Sequence, residues 1–500
     1  MQLVDLHIKE NGILKNFTLD FLKKSNNNIS VFIGENGSGK TTVLESIIKI
    51  FSWFIKNEKP AFEFELNYIV RLDETIKESS AFISSTTDYI LVKLFSNNDI
   101  VDIECNIGDV FIKGIKSIKS NKLLSSIKQS IKNNKYKLLP DSIAIYYAGE
   151  STNIKKIVEA HNDEFSEAIR ELYNEEKETI PRTFFYYEPF HFNLLFLALL
   201  SFEYGNIPKL LRKKIQFNKI HYFAINLKKP YWAKGKLNPE NDEYWGAKGT
   251  IAVFLRQIIE LSARQRQIKN GIVLHFEGEK RHNLYKLKDL YGTEKDFFTI
   301  LEMTWLNDLI ESVDISITRY ANSEFYHVNS NTLSEGEKQA LIILGLNELV
   351  LKENSLVLYD EPDTYLHPQW QRDFINELES YINNSINIKN YYIITSHSPN
   401  IVAGIKKENL FVFKNGQTKE IPFNCFGKNV ESLLIDFFNV EGIRNIYVEN
   451  LLKEIQDKVK RKKIESSEFK NKFQELKDIL SPTAPEIVNI NLEIAKIRNK

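Results

Sequence analysis

The sequence predicts an α/β fold built on a mainly parallel sheet, and three observations support this prediction. A glycine-rich loop, G-x-x-x-x-G-K-[ST], lies between an apolar run at 29–33 and a helix-like run at 42–53. From residue 314 onward, candidate strands and helices alternate along the chain. One of these strands, at 355–359, ends in two adjacent carboxylates. Strand–helix alternation is typical of parallel sheets that are covered by helices.

The glycine-rich loop has the form of a P-loop and stands between the strand and the helix that a P-loop requires. Its glycines let the backbone take positive φ angles and turn N–H groups toward phosphate. The start of the following helix favours the same anion. Lys40 would reach the β- and γ-phosphates of a nucleoside triphosphate, and the Thr41 hydroxyl would bind Mg²⁺. The residues predicted to contact the nucleotide are Gly34, Glu35, Asn36, Gly37, Ser38, Gly39, Lys40, Thr41 and Thr42.

Composition narrows the class of protein. The chain has 500 residues and a formal net charge of zero, so nucleic-acid binding would need a local basic patch. The two cysteines, Cys105 and Cys425, exclude a disulfide scaffold and suit a reducing compartment. The N-terminus lacks the features of a signal peptide, and the most apolar run, 190–202, is too short to span a bilayer. We therefore expect a cytoplasmic protein without membrane contact.

The order of candidate elements suggests four regions. Residues 1–150 hold the P-loop and several short strand candidates, which we interpret as a first nucleotide-binding lobe with an antiparallel β layer. Residues 151–325 are predicted to form a mainly helical insertion or arm. Residues 326–427 return to strand–helix alternation and complete the nucleotide-binding fold. Residues 428–500 are predicted to be helical and are rich in lysine and glutamate.

Two strand ends carry groups that are suited to hydrolysis. The strand at 355–359 runs into Asp360 and Glu361, at the edge of the sheet where the P-loop also ends. Asp360 would hold Mg²⁺, usually through water, and Glu361 would polarise the attacking water as a general base. His397 follows the strand candidate at 391–394, and from there it could contact the γ-phosphate and sense its loss.

The segment LSEGEKQ at 333–339 has two compatible interpretations. Ser334 and Glu337 have the S-x-x-E spacing of a capping box at the start of the helix that follows. A helix start is also an anion site, and here Ser334 and Gly336 would lie at it. The segment is therefore predicted to be a helix start that can meet phosphate.

Together these motifs occur in the order found in the heads of ABC-type ATPases: P-loop, LSEGE, YDEPDTYLHP and TSHSP. The chain resembles the SMC, RecF and OLD-type branch of that class rather than transporters. It looks most like the PtuA-type ATPases of bacterial anti-phage systems, Septu and some retrons. The likeness lies in LLPDSIAIYYAGE, in the block from LSEGE to LHPQW, and in the tail that begins FGKNVESLLIDFF. Residues 151–325 resemble no family that we can name.

The resemblance implies a P-loop NTPase fold of the ABC-ATPase head type, with ATP and Mg²⁺ as cofactors. In such heads the signature segment lies across the sheet from its own P-loop. Ser334, Gly336 and Glu337 would therefore serve the ATP of a second chain. Asp363 would begin the dimer-contacting D-loop, and His397 would be the switch histidine.

One position departs from the pattern of ABC heads. These heads usually carry a Q-loop glutamine after a strand like that at 142–147, but here Ala148, Gly149 and Glu150 follow. Either Glu150 substitutes for the glutamine or the metal contact is absent.

The resemblance also implies partners. It predicts an ATP-sandwiched dimer or a higher homo-oligomer, and control of a separate nuclease of the HNH type. Two alternatives are a DNA repair or SMC-like ATPase and a self-contained ATPase-nuclease of the OLD type. For the latter, Tyr447-Val448-Glu449 bears a faint likeness to a Toprim opening, but no D-x-D follows. The long insertion and the helical tail disfavour a transporter subunit.

Two segments are basic without an acidic residue among them. The first carries Lys113, Lys116, Lys119, Lys122, Lys128, Lys132, Lys135 and Lys137. The second carries Lys209, Arg212, Lys213, Lys214, Lys219, Lys228, Lys229, Lys234 and Lys236, interleaved with aromatic residues. Each is either a solvated surface, loop-rich in the second case, or a contact to DNA or RNA through phosphate charge and base stacking. Both interpretations stay open for each segment.

Overall fold

The computed structural model describes most of the chain. It covers residues 1–22, 28–71, 89–97, 100–106, 138–149, 151–171, 182–233, 235–238, 243–321, 323–384, 390–420, 423–436 and 444–498. These residues form two compact units, Met1–Phe426 and Gly427–Lys500. The finer division of the first unit into a lobe, an insertion and a second lobe stays a prediction.

A seven-stranded sheet forms the centre of the first unit. Its strands, numbered along the chain, are β3 (Ile29–Gly34), β7 (Ile143–Tyr147), β8 (Phe184–Tyr186), β16 (Leu356–Asp360), β17 (Tyr391–Ser396), β18 (Leu410–Lys414) and β19 (Gln417–Lys419). They lie in the order β19-β18-β3-β17-β16-β7-β8, and all neighbouring pairs are parallel except β18 with β19. The strands β16 and β17 are buried along their whole length, which is why their sequences are nearly continuous apolar runs. The predicted mainly parallel sheet is confirmed.

A five-stranded antiparallel sheet forms the predicted β layer. Its strands are β1 (Gln2–Asn11), β2 (Leu14–Asp20), β4 (Phe64–Arg71), β5 (Tyr89–Asn97) and β6 (Ile100–Asn106), in the order β2-β1-β4-β5-β6. One buried apolar cluster joins this layer to the central sheet and to the helix Lys40–Lys56, which we name the P-loop helix. Phe51 of that helix meets Tyr68 of β4 edge to face at 5.5 Å, for example. The β layer therefore supports the helix that begins at the P-loop.

The region from 151 to 325 contains the predicted helices, and it also contains strands, most of which the sequence did not predict. It holds most of a second antiparallel sheet, named here the insertion sheet. The strands are β9 (Phe217–Lys228), β12 (Arg264–Ile268), β13 (Gly271–Phe276), β14 (Ile310–Ala321) and β15 (Glu324–Asn329), in the order β12-β13-β9-β14-β15. The strand β12, RQRQI, is exposed on both faces. Its sequence therefore lacks the alternation of apolar and polar residues by which a strand can be predicted. A short hairpin, β10 (Leu237–Asn238) with β11 (Glu243–Tyr244), stands apart.

Besides the P-loop helix, the described part of the first unit contains further α-helices. They are Thr152–Glu171, His191–Leu200, Ile207–Ile215, Gly249–Leu261, Asn283–Asp289, Glu294–Leu306, Glu335–Gly345, Pro368–Asn384 and Pro399–Gly404. Short 3₁₀ segments lie at Gly278–His282, Ser330–Thr332 and Lys407–Asn409, and a π-helical turn lies at Leu346–Val350. The apolar run at 190–202 is the buried helix His191–Leu200, as predicted. Across the described ranges, no helix combines the length and apolarity that a membrane span requires.

The second unit consists of the helices Val430–Asp436, Ile446–Lys460, Ser467–Ile479 and Pro485–Arg498. Apolar residues from the last three helices form a separate small core, which includes the fully buried Ile455 and Leu476. The helical prediction for this region is confirmed where the structure describes it. Tyr447-Val448-Glu449 lies in the first turn of Ile446–Lys460, so nothing there brings paired carboxylates to a strand end.

Candidate functional site

The P-loop connects the end of β3 to the start of the P-loop helix. Gly37 and Gly39 have φ angles of 74° and 107°, which side chains disfavour. Gly34 is required for a different reason, since a Cβ there would lie 2.3 Å from the carbonyl oxygen of Phe413. The loop conformation therefore explains all three glycines of the motif.

Lys40 is folded back onto this loop. Its ammonium donates to the carbonyl oxygens of Gly34 at 2.9 Å and Glu35 at 3.1 Å. Burial lowers the pKa of Lys40, and the nearby carboxylates of Glu361 and Asp360 oppose that effect. The ammonium thus stands at the mouth of a loop whose N–H groups and helix start both favour an anion.

Thr41 and Asp360 meet across the sheet edge. The Thr41 hydroxyl donates to Asp360 Oδ2 at 2.8 Å, and the hydroxyl of Thr395 donates to the other carboxylate oxygen. Asp360 is 4% exposed, and burial raises its pKa although both hydroxyls stabilise the charged form. A buried carboxylate beside a hydroxyl offers the oxygen ligands that Mg²⁺ prefers. This donor set fits the predicted Mg²⁺ site.

Glu361 and His397 form a pair at the ends of two neighbouring parallel strands. His397 Nε2 lies 3.1 Å from Glu361 Oε1, and both side chains are partly exposed. The backbone N–H of Glu361 donates to the hydroxyl of Thr395 at 3.0 Å, and Glu361 has a left-handed φ of 52°. Burial and the charge of Lys40 lower the pKa of His397, although Glu361 acts in the opposite direction. A neutral imidazole can donate its Nε2 proton to the carboxylate.

Asp363 is linked by a hydrogen bond to Ser396, the residue before His397. It is 4% exposed, and its Oδ2 accepts a hydrogen bond from the Ser396 hydroxyl at 2.9 Å. Burial raises the pKa of Asp363 to about 6. The other carboxylate oxygen, Oδ1, is buried without a hydrogen-bond partner among the described residues. The predicted D-loop aspartate therefore has one hydrogen-bonded and one unpartnered carboxylate oxygen among the described residues.

The segment at 333–339 starts the helix Glu335–Gly345, named here the signature helix. Ser334 is its N-cap, and a reciprocal capping box with Glu337 is present, as predicted. Ser334 is exposed, and the hydrogen bonds recorded for it in the described part of the chain stay within this first turn. A Cβ at Gly336 would lie 2.7 Å from the carbonyl oxygen of Tyr365, so this helix packs closely against the segment after Asp363.

Sequence reasoning missed two positions that organise this region. Thr395 joins the backbone of Glu361 to the carboxylate of Asp360, a link set by the register that pairs Asp360 with Thr395. Gln339 is buried and bridges the Tyr146 hydroxyl at 3.2 Å and the backbone N–H of Tyr365 at 2.8 Å. Thr395 stands in the TSHSP motif, so its position beside His397 was a usable signal.

The predicted Q-loop region is only partly described. Glu150 lies outside the described residues. The backbone N–H of Ala148 donates to the carbonyl oxygen of Asp360 at 3.1 Å, which holds the end of β7 beside the Mg²⁺ candidate. The first basic segment, Lys113 to Lys137, also lies outside the described residues.

The second basic segment is not a loop-rich surface, which corrects one of its two interpretations. It consists largely of the helix Ile207–Ile215 and the strand β9, which pairs with β13 and β14. Phe223 is fully buried, Lys214 is paired with Glu377 at 3.0 Å, and Lys228 is paired with Asp308. The exposed cations are Lys209, Arg212, Lys213, Lys219, Lys229 and Lys236. A nucleic-acid contact of this segment stays a prediction.

The fold and the site define a P-loop nucleoside triphosphatase: a parallel sheet, a glycine-rich loop at the end of β3, and two carboxylates at the end of β16. The sequence matches the AAA ATPase domain family over residues 1–402. The chain therefore belongs to this family and is an ATPase.

The chain is similar in sequence to several curated proteins, two of which are described here. It is 30% identical to the "Retron Ec83 probable ATPase" of Escherichia coli over 177 residues, which is 33% of this chain and 32% of that protein. It is 23% identical to the "Retron Vc95 probable ATPase" of Vibrio cholerae serotype O1 biovar El Tor over 486 residues, which is 89% of this chain and 82% of that protein. The first match thus spans about a third of its relative's length.

Among solved structures, the ATP-binding cassette of an ABC transporter matches 88% of this chain and 98% of its own, at 13% identity and a TM-score of 0.28. That likeness is too weak to add to the assignment.

Proposed function

We propose that this chain is an ATP-hydrolysing, ABC-type sensor or regulatory subunit of a bacterial anti-phage defence complex. The hydrolytic part of the proposal is carried by four side chains that meet beyond the ends of three parallel strands, β3, β16 and β17: Lys40, Asp360, Glu361 and His397. The relatives named as retron ATPases support the defence context. The likeness to PtuA-type ATPases is the finer form of the same proposal.

In the proposed ATP complex, the phosphates lie over the P-loop, from Gly34 to Thr42. Lys40 leaves the carbonyl oxygens of Gly34 and Glu35 and pairs with phosphate oxygens, a stronger charge-assisted contact. Thr41 and Asp360 hold Mg²⁺, which when bound neutralises charge on the phosphate oxygens. Their hydroxyl–carboxylate contact of 2.8 Å supports this assignment, because it brings the two oxygens close enough to share one cation.

Hydrolysis then rests on the Glu361–His397 pair. Glu361 accepts a proton from the attacking water as the general base. His397, neutral because burial and Lys40 lower its pKa, donates Nε2–H and so orients that carboxylate or the γ-phosphate. Thr395 fixes the backbone of Glu361, so the carboxylate is held at a defined place at the sheet edge. Once the product phosphate has dissociated, His397 can again donate its hydrogen bond to Glu361.

The site is proposed to be composite. Ser334, Gly336 and Glu337 belong to an exposed helix start, which favours an anion and carries a serine hydroxyl. We assign them to the ATP of a second copy, with Asp363 beginning the segment that faces it. Turnover would then require a dimer or a higher homo-oligomer.

A partner nuclease of the HNH type is proposed as the output of this cycle, by analogy with PtuA-type systems. DNA or RNA is a candidate input, through the exposed cations between Lys209 and Lys236 and through the segment Lys113 to Lys137. The OLD-type alternative loses its support because the described elements of the second unit are helices. A DNA repair or SMC-like ATPase is the remaining second candidate.

Two experiments test the proposal, one for ATP hydrolysis and one for the role in anti-phage defence. Purified chain should release phosphate from ATP in the presence of Mg²⁺, and Lys40→Ala should abolish that activity. Expression from the native locus in a phage-sensitive host should reduce plaque formation, and Lys40→Ala should remove the protection. Hydrolysis without any protection against a broad phage panel would leave the ATPase assignment standing and overturn the defence assignment.

A further inference from the structure

The insertion sheet leads directly into the signature motif. Its last two strands, β14 and β15, form a hairpin, and β15 ends at Asn329. A single 3₁₀ turn, Ser330–Thr332, then connects the hairpin to Leu333 and the N-cap residue Ser334. Movement of this hairpin would therefore act on the chain just before the serine that is proposed to meet the partner's ATP.

A second connection runs back from the helix to the sheet. Glu337 Oε2 accepts hydrogen bonds from the Ser334 backbone at 2.9 Å and from the Ser334 hydroxyl at 3.0 Å. Its other oxygen, Oε1, lies 3.0 Å from Nη2 of Arg319, which belongs to β14. One carboxylate thus joins the proposed phosphate-binding serine to the insertion sheet.

The burial of Arg319 and Glu337 strengthens the ion pair between them. The side chains of Arg319 and Glu337 are only 11% and 18% exposed, so the pair is shielded from solvent screening. Burial disfavours the charge of Glu337, yet the Ser334 backbone and Arg319 outweigh it and lower the pKa of this carboxyl. Glu337 therefore stays ionised and keeps accepting from Ser334 across the neutral pH range.

A backbone irregularity accompanies Arg319. The register between β9 and β14 shifts between Thr318 and Arg319, where a bulge or similar irregularity interrupts the ladder. Bulges turn a side chain away from the regular alternation of a strand and occur next to functional sites. Arg319 can thereby leave the face of the sheet and reach the signature helix.

From these contacts we infer that Arg319 is a positioning residue: it holds Glu337, and through it Ser334, so that the insertion sheet controls ATP turnover on the partner chain. The inference rests on the proposed composite site and adds a residue and a route of regulation to it. Arg319 offsets the negative charge of Glu337, which frees the Ser334 hydroxyl to donate to phosphate when a partner docks. A ligand or partner that displaces β14 would break this link first.

Mixing of variants tests this assignment. Arg319→Ala alone should bind a fluorescent ATP analogue as wild type does, but its kcat should fall about tenfold, a typical coupling for residues in contact. Mixed in equal amounts with Lys40→Ala, it should regain about a quarter of the wild-type rate, because one site in each mixed dimer is intact. Mixed with Ser334→Ala, it should regain nothing, since neither chain offers an intact signature. Arg319→Lys, which keeps the charge, should retain an intermediate kcat.

The controls separate this inference from the proposed function. Arg264→Ala removes another arginine–glutamate pair of the same sheet, with Glu277 at 3.3 Å, and should leave kcat unchanged. If Ser334→Ala and Lys40→Ala fail to restore each other, the composite site itself is wrong. If they restore each other but Arg319→Ala is not restored by Lys40→Ala, or loses ATP binding, the positioning role of Arg319 is wrong.

Discussion

The imidazole Nε2 of His397 lies 3.1 Å from the carboxylate Oε1 of Glu361, at the ends of two adjacent parallel strands. This contact joins the proposed general base to the proposed sensor of the γ-phosphate before any nucleotide is involved. The imidazole can donate to one acceptor at a time through this nitrogen. Binding or loss of the γ-phosphate would therefore directly change the orientation of the Glu361 carboxylate.

Replacement of Glu361 by glutamine tests the base. The amide keeps the shape of the side chain but cannot accept the proton, so kcat should fall about a hundred- to ten-thousandfold. ATP binding should persist, and the ATP-bound oligomer should accumulate in size-exclusion chromatography. Glu279→Gln, on the exposed 3₁₀ segment Gly278–His282, is a matched control outside the proposed site and should keep the wild-type kcat. Wild-type turnover of Glu361→Gln would remove this residue from its assigned role.

Substitution of His397 tests whether its side chain acts as a hydrogen-bond donor or only occupies space. His397→Ala should lower kcat about a hundredfold, the usual cost of one lost donor at a reacting group. His397→Gln retains an amide N–H and should lose less. Because the pKa of His397 is lowered, both wild-type kcat and the ratio between the variants should be flat from pH 7 to 8.5. Equal activity of the alanine and glutamine variants would contradict the donor role.

If Asp360 helps to bind Mg²⁺, its substitution should lower the affinity for Mg²⁺ without lowering the stability of the fold. Asp360→Asn should weaken the Mg²⁺ dependence of ATP binding about 10- to 100-fold, as for residues that act on a metal through water. Because burial already disfavours the charge of Asp360, the variant without nucleotide should melt no lower than wild type. Titration of MgCl₂ with a fluorescent nucleotide and a melting curve check both parts. A strongly destabilised variant with unchanged Mg²⁺ dependence would make Asp360 structural.

The raised pKa of Asp363 predicts that the stability of the folded chain depends on pH. Its pKa is raised from 3.8 to about 6, so its protonated form is favoured in the folded chain. The stabilisation is complete below about pH 4 and is lost as pH rises through about 6, by at most about 3 kcal/mol. Asp363→Asn lacks this loss, so its melting temperature relative to wild type should rise between pH 4.5 and 7.5. A melting-temperature difference between Asp363→Asn and wild type that stays constant with pH would contradict the raised pKa of Asp363.

The sequence predicted the parts of the site that are local in the chain. The P-loop, the strand that ends in Asp360 and Glu361, and the capping box of Ser334 each lie within a short segment with its own physical logic. Parallel pairing then brought Asp360 opposite Thr395, next to His397. Such pairings follow from sheet order, which strand–helix alternation indicates only in general terms.

The insertion sheet and its contact to the site could not be predicted in the same way. The exposed strand β12 has no apolar period, and the buried strand β13, GIVLHF, is too short to distinguish from a helix by periodicity. The pair of Arg319 with Glu337 depends on a local register shift in β14 and on tertiary packing. Neither leaves a pattern in a single sequence.

Each ATP site is proposed to be completed by a second chain. The most direct test is the ATPase rate of an equal mixture of Lys40→Ala and Ser334→Ala, each inactive alone. Random pairing leaves one intact site in half of the dimers, so we expect about a quarter of the wild-type rate. Loss of the N-cap costs about 1 kcal/mol, which a melting curve of Ser334→Ala can confirm is tolerated. A mixture as inactive as its components would contradict the shared site.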